Sequence, residues 1–140
     1  MDKEIIKKLY KYAYRAYKKN EVPISAMLVR DNKIISCAYN KKNINNNALF
    51  HAEIICLSRA CKKLKRWNLS DCTLYVTLEP CEMCKLLIQE SRINHVYYLQ
   101  KRGNINNKYS KTKYEHMYGI NGAIFDELME NFFKKIREKK

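Results

Sequence analysis

Two short segments of this 140-residue chain carry side chains that could do chemistry together. The first is His51-Ala52-Glu53, and the second is Pro80-Cys81-Glu82-Met83-Cys84. Cys81 and Cys84 stand at the predicted start of a helix with helical spacing, so both sulfur atoms can lie on one face. The positive end of the helix dipole favours thiolates, which are the form of cysteine that binds zinc. The pair is therefore a candidate for two metal ligands.

His51 can supply a third ligand from the start of its own predicted helix. One histidine and two thiolates leave the fourth tetrahedral position of zinc for water, which is the arrangement of a catalytic site. Zinc lowers the pKa of a bound water far below that of bulk water. Glu53 follows closely after His51 but is not needed as a ligand, so it can take up and return protons. Together the four residues predict a hydrolytic zinc site.

Three other interpretations of the cysteines are weaker. A closed four-cysteine zinc site would need Cys56 and Cys61, whose spacing places them about 140° apart on a helix. A redox pair of the thioredoxin type also follows a strand, but it gives no role to His51 or Glu53. A disulfide framework fits a small secreted chain, and the first residues of this chain are charged rather than those of a secretory leader.

Hydrophobic periodicity predicts the elements that must position these residues. The expected order is helix, two strands, helix, strand, helix, strand, helix. Alternation of this kind predicts an α/β fold with helices on both faces of a sheet, in a single domain over residues 1–140. The predicted helices cover residues 2–19, 51–64, 81–91 and 115–140, the strands cover 24–29, 33–39, 72–78 and 96–99, and the loops cover 40–47 and 101–113.

Composition and charge limit the partners. The chain is 46% hydrophobic, so it is not disordered by composition. It has no apolar run of about 18 residues, so we expect no membrane span and a cytoplasmic protein. The formal net charge is +14, which favours an anionic partner such as RNA. A genome rich in A and T would also raise the lysine count, and this explanation stays open.

At these motifs the chain resembles the cytidine deaminase superfamily, whose signature is His-x-Glu followed by Pro-Cys-x-x-Cys. More closely it resembles the bacterial tRNA-specific adenosine deaminases, and two of its stretches narrow the choice to the adenosine and guanine deaminase branches. The stretches that carry the resemblance are Glu21-Val22-Pro23-Ile24, Tyr39-Asn40, His51-Ala52-Glu53-Ile54, Leu74 to Cys81, Ser91-Arg92-Ile93, and Phe132-Phe133 with Arg137. The resemblance implies a three-layer α-β-α fold with a central mixed sheet.

The resemblance also implies roles for individual residues. His51, Cys81 and Cys84 would bind one Zn²⁺, and Glu53 would be the proton shuttle. Asn40 would contact the base and ribose of the bound nucleotide. The substrate-binding set implied in this way is Asn40, Ala52, Pro23 and Ile24. The expected substrate is a tRNA anticodon stem-loop with adenosine at the wobble position, converted to inosine by a homodimer.

The chain departs from the family pattern at three places, and these leave other substrates open. Ser25 stands where the family usually has glycine, and Leu49-Phe50 stands where it has small residues before the histidine. The stretch Gln100 to Asn106 lacks the family's aspartate and has a cation at about that place. Two alternatives therefore remain: a deaminase of a small substrate such as guanine, cytosine or a nucleoside, and a catalytically silent zinc protein that only binds RNA.

Overall fold

The computed structural model describes residues 2–102, 111–117 and 122–138. In these parts of the chain the elements alternate largely as the hydrophobic pattern predicts. They are α1 (Asp2–Lys18), β1 (Ser25–Arg30), β2 (Lys33–Tyr39), α2 (Ala52–Leu64), β3 (Thr73–Leu78), α3 (Glu82–Glu90), β4 (His95–Gln100), β5 (Lys113–His116) and α4 (Ala123–Glu138). None of the described helices combines the length and hydropathy needed to cross a membrane.

The five strands form one mixed sheet in the order β2-β1-β3-β4-β5. β1 is antiparallel to both β2 and β3, whereas β3, β4 and β5 are parallel to one another. The parallel strands β3 and β4 are joined through α3, and this β-α-β unit needs a helical crossover on one face. The sheet therefore directs the carboxyl ends of β3 and β4, and the start of α3, toward the same edge.

Each face of the sheet is covered by two helices. Alternate side chains of the strands, such as Leu28, Leu74 and Val96, pack with α2 and α3 in one core cluster. The intervening side chains, such as Met27, pack with α1 and with Phe125 of α4 in a second cluster. The predicted three-layer α-β-α fold is confirmed, because the period-2 pattern of the strands places apolar residues on both faces.

Local backbone conformation explains where two elements end. Asp31 and Asn32 both have positive φ, 50° and 61°, which is the conformation of the tight turn that joins antiparallel strands. Aspartate and asparagine side chains tolerate this conformation, so the turn between β1 and β2 is favoured locally by the sequence. Asn20, with φ of 62°, follows α1 in the left-handed conformation that ends helices. Ser25, which departs from the family pattern, is buried and its hydroxyl donates a hydrogen bond of 2.6 Å to the carbonyl of Leu9.

The segment before the last helix is the main correction to the sequence analysis. Lys113–His116 forms the edge strand β5 instead of joining a helix that starts at residue 115, and α4 begins at Ala123. A strand of four residues with two charged side chains has no hydrophobic period of its own, and pairing with β4 supplies its backbone hydrogen bonds. Residues 103–110 of the predicted loop and 118–121 of the predicted helix lie outside the described residues.

The apolar face of α4 is only partly buried. Leu128 and Phe132 are buried. Phe133 and Ile136, which belong to the same apolar pattern, are 46% and 39% exposed. Phe133 immediately follows a buried residue and turns away from the sheet by one helical step, because successive residues on a helix point about 100° apart.

Candidate active site

Two helix N-termini bring the candidate ligands together. His51 is the N-cap residue of α2 and Cys81 is the N-cap residue of α3, and both have extended backbone dihedrals. Neither side chain caps its own helix, so both side chains are free to point away from the helix axis. Cys84 follows in the first turn of α3 and is buried. The helices therefore present their positive ends, with the three ligands, at a single point beside the end of β3.

The three ligand atoms have the spacing of a metal site. His51 Nδ1 lies 3.6 Å from Cys84 Sγ and 3.8 Å from Cys81 Sγ. All three atoms lie within 4.8 Å of one another. In tetrahedral zinc coordination, the known bond lengths place neighbouring nitrogen and sulfur ligands about 3.6 Å apart. The donor set and its spacing thus fit a zinc ion with one further position for a non-protein ligand.

The alternative four-cysteine site does not fit the structure. Cys56 is fully buried and hydrogen-bonds with Ser36, whose hydroxyl lies 3.2 Å from Cys56 Sγ. Burial raises the pKa of Cys56 to about 12, which keeps it a neutral thiol. Among the described residues, His51, Cys81 and Cys84 are the one group of three or more potential ligands that could hold a metal. Cys56 and Cys61 therefore belong to the core.

The Glu53 carboxyl lies directly beside this cluster. Glu53 is buried, at 3% exposure, and its carboxyl interacts with the Cys84 thiol. Burial raises the pKa of Glu53, while the neighbouring His51 and Arg102 act in the opposite direction. Burying a carboxyl costs free energy. Glu53 is not one of the three residues of the cluster, so a role in holding the structure together does not explain its burial. Its position fits a group that exchanges protons with a molecule bound at the cluster.

The electrostatics of the cluster also favour a bound cation. Burial raises the pKa of the Cys84 thiol well above its ordinary value, and the nearby Glu53 and Cys81 raise it further. Without a cation, two sulfur atoms and a carboxyl lie close together in a buried space, which opposes loss of the thiol protons. A divalent metal would lower the thiol pKa instead, since a coordinated thiol loses its proton outright. The group consequently fits a zinc ion chemically as well as geometrically.

A cavity of about 650 Å³ opens above the cluster. Its lining includes His51 and Glu53, and also three of the four residues proposed for substrate contact, Asn40, Ala52 and Ile24. The fourth, Pro23, is buried, and its neighbour Val22 lines the cavity instead.

The Asn40 side chain is held in place by two hydrogen bonds. Its oxygen accepts from the Lys42 amide at 3.1 Å, and its nitrogen donates to the Val22 carbonyl at 3.5 Å.

Several lining residues were not identified from the sequence. They come from the segment after β2, from the ends of β3 and β4, from β5 and from α4, and they are Lys42, Leu78, Leu99, Gln100, Lys101, Arg102, His116, Asp126, Met129 and Phe133. Gln100 donates a 2.7 Å hydrogen bond to Asp126, which joins α4 to the end of β4 at the cavity wall. No sequence motif marks this wall. Its position becomes visible only in the structure, where the large apolar side chain of Phe133 is left at the surface, as is common at binding sites.

Arg102 is held at the cavity by Glu79, the residue before the Pro80-Cys81 pair. The Arg102 Nε donates to the Glu79 carbonyl at 2.9 Å, and its backbone amide lies 3.4 Å from the Glu79 carboxylate. The side chain itself remains exposed. Arg102 thus places a positive charge on the cavity lining, within the stretch that lacks the family's aspartate.

A buried ion pair joins the two segments that carry Cys81 and Cys84. Lys85, next to Cys84, lies 3.1 Å from the carboxylate of Glu79, and both side chains are less than a tenth exposed. The Lys85 ammonium also lies 4.8 Å from the centre of the Tyr114 ring. Such a pair holds α3 against the turn that carries Cys81, because separating it would leave a buried charge without a partner.

Replacing Lys85 with methionine should therefore lower stability strongly. Removal of one partner from a buried pair costs about 3–5 kcal/mol in the free energy of unfolding. The control is Arg66→Met, which breaks the Arg66–Asp71 pair whose side chains are 35% and 49% exposed and should cost no more than about 1 kcal/mol. Urea denaturation of both variants makes the comparison. Equal losses for the two would show that the buried pair has no special role.

Comparison with known proteins identifies the family of the chain. A model of the MafB19-like deaminase family matches residues 1–137. The chain belongs to the MafB19-like deaminase family. Among the relatives of this deaminase, a tRNA-specific adenosine deaminase of Rickettsia bellii is 46% identical over an alignment 140 positions long, which covers 91% of this chain and 97% of that protein. A protein of the same name from Bacillus subtilis is 33% identical, with 99% and 92% of the two chains covered.

Solved structures agree with this assignment. A structure from a study of A-to-I editing by tRNA:A34 deaminases superposes with a TM-score of 0.75 and 28% identity, over 84% of this deaminase and all of that chain. A guanine deaminase from Bacillus subtilis superposes with a TM-score of 0.67 and 30% identity, over 72% and 65% of the two chains. The predicted membership of the cytidine-deaminase-like group is thus confirmed, and relatives and neighbours alike are enzymes that hydrolyse C–N bonds.

Proposed function

We propose that this deaminase binds one Zn²⁺ and converts adenosine to inosine at the wobble position of tRNA. The observation that carries the proposal is the cluster of His51, Cys81 and Cys84 with the buried Glu53 beside it at the base of a cavity. The names of its relatives supply the substrate, and the family match over residues 1–137 supports one deaminase domain over residues 1–140. The reaction consumes one water and releases one ammonia for each adenosine.

The proposed mechanism assigns the metal ligands and the proton carrier separately. His51, Cys81 and Cys84 would hold the zinc, which when bound supplies a Lewis acid that lowers the pKa of water. Glu53 would take a proton from the attacking water and deliver it to the ring nitrogen next to the amino-bearing carbon. The same carboxyl would then take the proton of the newly added hydroxyl and pass it to the amino group, so that the C–N bond breaks, ammonia leaves and the carbonyl of inosine forms. One carboxyl can serve in both steps because it faces the cluster and the cavity together.

The substrate contacts are proposed from the cavity lining. Asn40 would hydrogen-bond the base and ribose, since it is held in place at the cavity wall. Ala52 and Ile24 would pack against the ring, and the contribution of Pro23 stays a prediction. An anticodon base already lies in a loop, so it can be turned out into such a cavity at little cost.

A small free base is the second candidate substrate, and one observation favours it. Asp126, Met129 and Phe133 of α4 form a wall of the cavity, which narrows the space around the site. A guanine deaminase is also among the structures that superpose on this chain. The cations Lys42, Lys101 and Arg102 at the cavity favour the RNA instead, because a neutral base offers them no partner.

Ammonia release from the zinc-loaded protein tests the proposal. The substrates are an anticodon stem-loop with adenosine at the wobble position, free guanine, cytosine, cytidine and adenosine. We expect inosine in the stem-loop and no turnover of the free compounds. Turnover of guanine or another free compound alone would keep the zinc chemistry and overturn the tRNA assignment. Zinc binding with no ammonia from any substrate would support the catalytically silent protein.

We further propose a homodimer located in the cytoplasm. The exposed apolar side chains Met83 and Leu86 on α3 support a contact between two copies, since they are 37% and 65% exposed. Light scattering on purified protein tests the oligomeric state, and a monomer at micromolar concentration would contradict it.

A further inference from the structure

One tyrosine ring of α1, which is partly exposed, and one at the end of β2, which is buried, are surrounded by positive charges. The rings of Tyr12 and Tyr39 have their centres 6.3 Å apart. Arg15 lies 4.7 Å from the centre of the Tyr12 ring, while Lys19 and Lys41 lie 5.6 and 5.0 Å from the centre of the Tyr39 ring. Lys19 also donates a 3.0 Å hydrogen bond to the Tyr39 hydroxyl. These five residues are called the tyrosine–cation patch below.

The three cations of the patch have no carboxylate partner among the described residues. The ion pairs found there involve Arg30, Arg66, Lys85 and His95, and none involves a residue of the patch. Two of the like charges share one ring, which costs electrostatic free energy in the absence of an anion. Stacking with tyrosine offsets part of this cost and also fixes the positions of the charged groups. The patch is thus an ordered positive surface.

The helix dipole explains only part of this arrangement. Arg15 and Lys19 lie at the carboxyl end of α1, where cations are favourable for the helix itself. Lys41 follows β2 and has no such reason to be there. Its convergence with Lys19 on Tyr39 brings together charges from two separate elements. A shared anionic partner accounts for all three.

The patch is continuous with the cavity through one short segment. Along Tyr39-Asn40-Lys41-Lys42, Asn40 and Lys42 line the cavity, whereas Tyr39 and Lys41 belong to the patch. Consecutive residues are only about 3.8 Å apart, so the segment is a thin rim between the two surfaces. A strand of RNA with one base in the cavity would place a neighbouring phosphate within reach of this rim.

We propose that the tyrosine–cation patch binds the phosphate backbone of the RNA substrate, beyond the nucleotide whose base enters the cavity. The inference rests on the proposed function, and it assigns an RNA-binding surface outside the deamination site. Arg15, Lys19 and Lys41 contact phosphates, and the rim residue Lys42 continues the positive path into the cavity. A free base or nucleoside does not reach the patch.

Neutralisation of the patch tests this proposal. The variant carries Arg15→Gln, Lys19→Gln and Lys41→Gln together. The control carries Lys3→Gln, Lys33→Gln and Lys62→Gln, which remove the same charge from three exposed lysines that do not line the cavity. For both, the dissociation constant of a labelled anticodon stem-loop is measured as a function of salt in a Glu53→Gln background, and KM and kcat are measured with Glu53 intact. Zinc content and Tm show that each variant is folded.

The expected result is specific to the patch. The patch variant binds the stem-loop about tenfold or more weakly at low salt, and its slope of log binding constant against log salt falls by about 2 to 3, because each phosphate contact contributes about 0.7–0.9. The weaker binding of the patch variant appears as a higher KM, while its kcat is unchanged. Equal slopes for the patch variant and the control would overturn the inference. Failure of the unmodified protein to deaminate or bind the stem-loop would instead overturn the proposed function on which it rests.

Discussion

Replacement of Glu53 by glutamine is expected to abolish deamination while the protein keeps its zinc. Glutamine has nearly the same shape but cannot take a proton from water, so the variant loses the group that would serve both proton transfers. Loss of a positioned acid–base group costs about 10²- to 10⁴-fold in rate. Because the three proposed metal ligands are other residues, metal content should stay the same. Single-turnover kinetics on the stem-loop and elemental analysis of the purified variant measure the two quantities.

The matched control for Glu53 is Asp126→Asn. Asp126 also lines the cavity, but it is exposed and hydrogen-bonds to Gln100 instead of the metal cluster. We expect this variant to keep most of its kcat. An active Glu53→Gln enzyme would show that another group carries the proton. A variant that loses zinc would show that Glu53 supports the metal rather than the chemistry.

The Glu53 substitution should also change how stability depends on pH in the metal-free protein. Burial raises the pKa of Glu53 above its ordinary value of 4.5, so the folded chain binds this proton more tightly than the unfolded chain. The contribution of Glu53 to the free energy of unfolding is therefore fully present below pH about 4.5, and it falls as the pH rises through the pKa of Glu53 in the folded chain. Glutamine removes this fall, and zinc-free Glu53→Gln should be the more stable protein at neutral pH.

Substitution of Cys84 by alanine is expected to remove both the metal and the stability that comes with it. A ligand that binds only the folded state stabilises it by about 4 kcal/mol when its free concentration is a thousand times Kd. For a chain of this size that corresponds to roughly 10 °C or more in Tm. The unmodified protein should lose the same amount when a chelator is added, whereas Cys84→Ala should not respond to chelator or zinc.

Cys72→Ala separates metal loss from simple loss of packing. Cys72 is a buried thiol beside Asp71 and lies outside the metal cluster. Its replacement should cost a small amount of packing free energy while zinc content and the chelator response stay intact. Tm measured with and without zinc decides the comparison. Zinc-free wild-type protein with undiminished stability would contradict the metal assignment altogether.

The residues of the metal cluster could be predicted from the sequence because their chemistry is local. A pair of cysteines with helical spacing after a proline, and a histidine followed by a carboxyl residue, restrict each segment to the start of a helix. The strands around them were also predictable, since Leu28 and Leu74 belong to runs of apolar residues. The turn at Asp31 and Asn32 followed from side chains that tolerate positive φ.

The cavity wall could not be predicted in the same way. β5 is a strand only because β4 lies beside it, and the apolar period of α4 gives no indication of which edge of the sheet the helix follows. The contact between Gln100 and Asp126 joins positions far apart in the chain, and neither residue forms a recognisable motif.

The sequence by itself indicated the candidate metal ligands, the candidate proton carrier and the alternation of helices and strands, because those depend on the identity and period of neighbouring residues. Only the tertiary structure decided that the N-termini of α2 and α3 meet, that Glu79 and Lys85 form a buried pair, and that Lys41 joins Arg15 and Lys19 around two tyrosine rings. These arrangements follow from packing of separate elements on one sheet, and the free energy of packing depends on which surfaces meet rather than on their order in the chain.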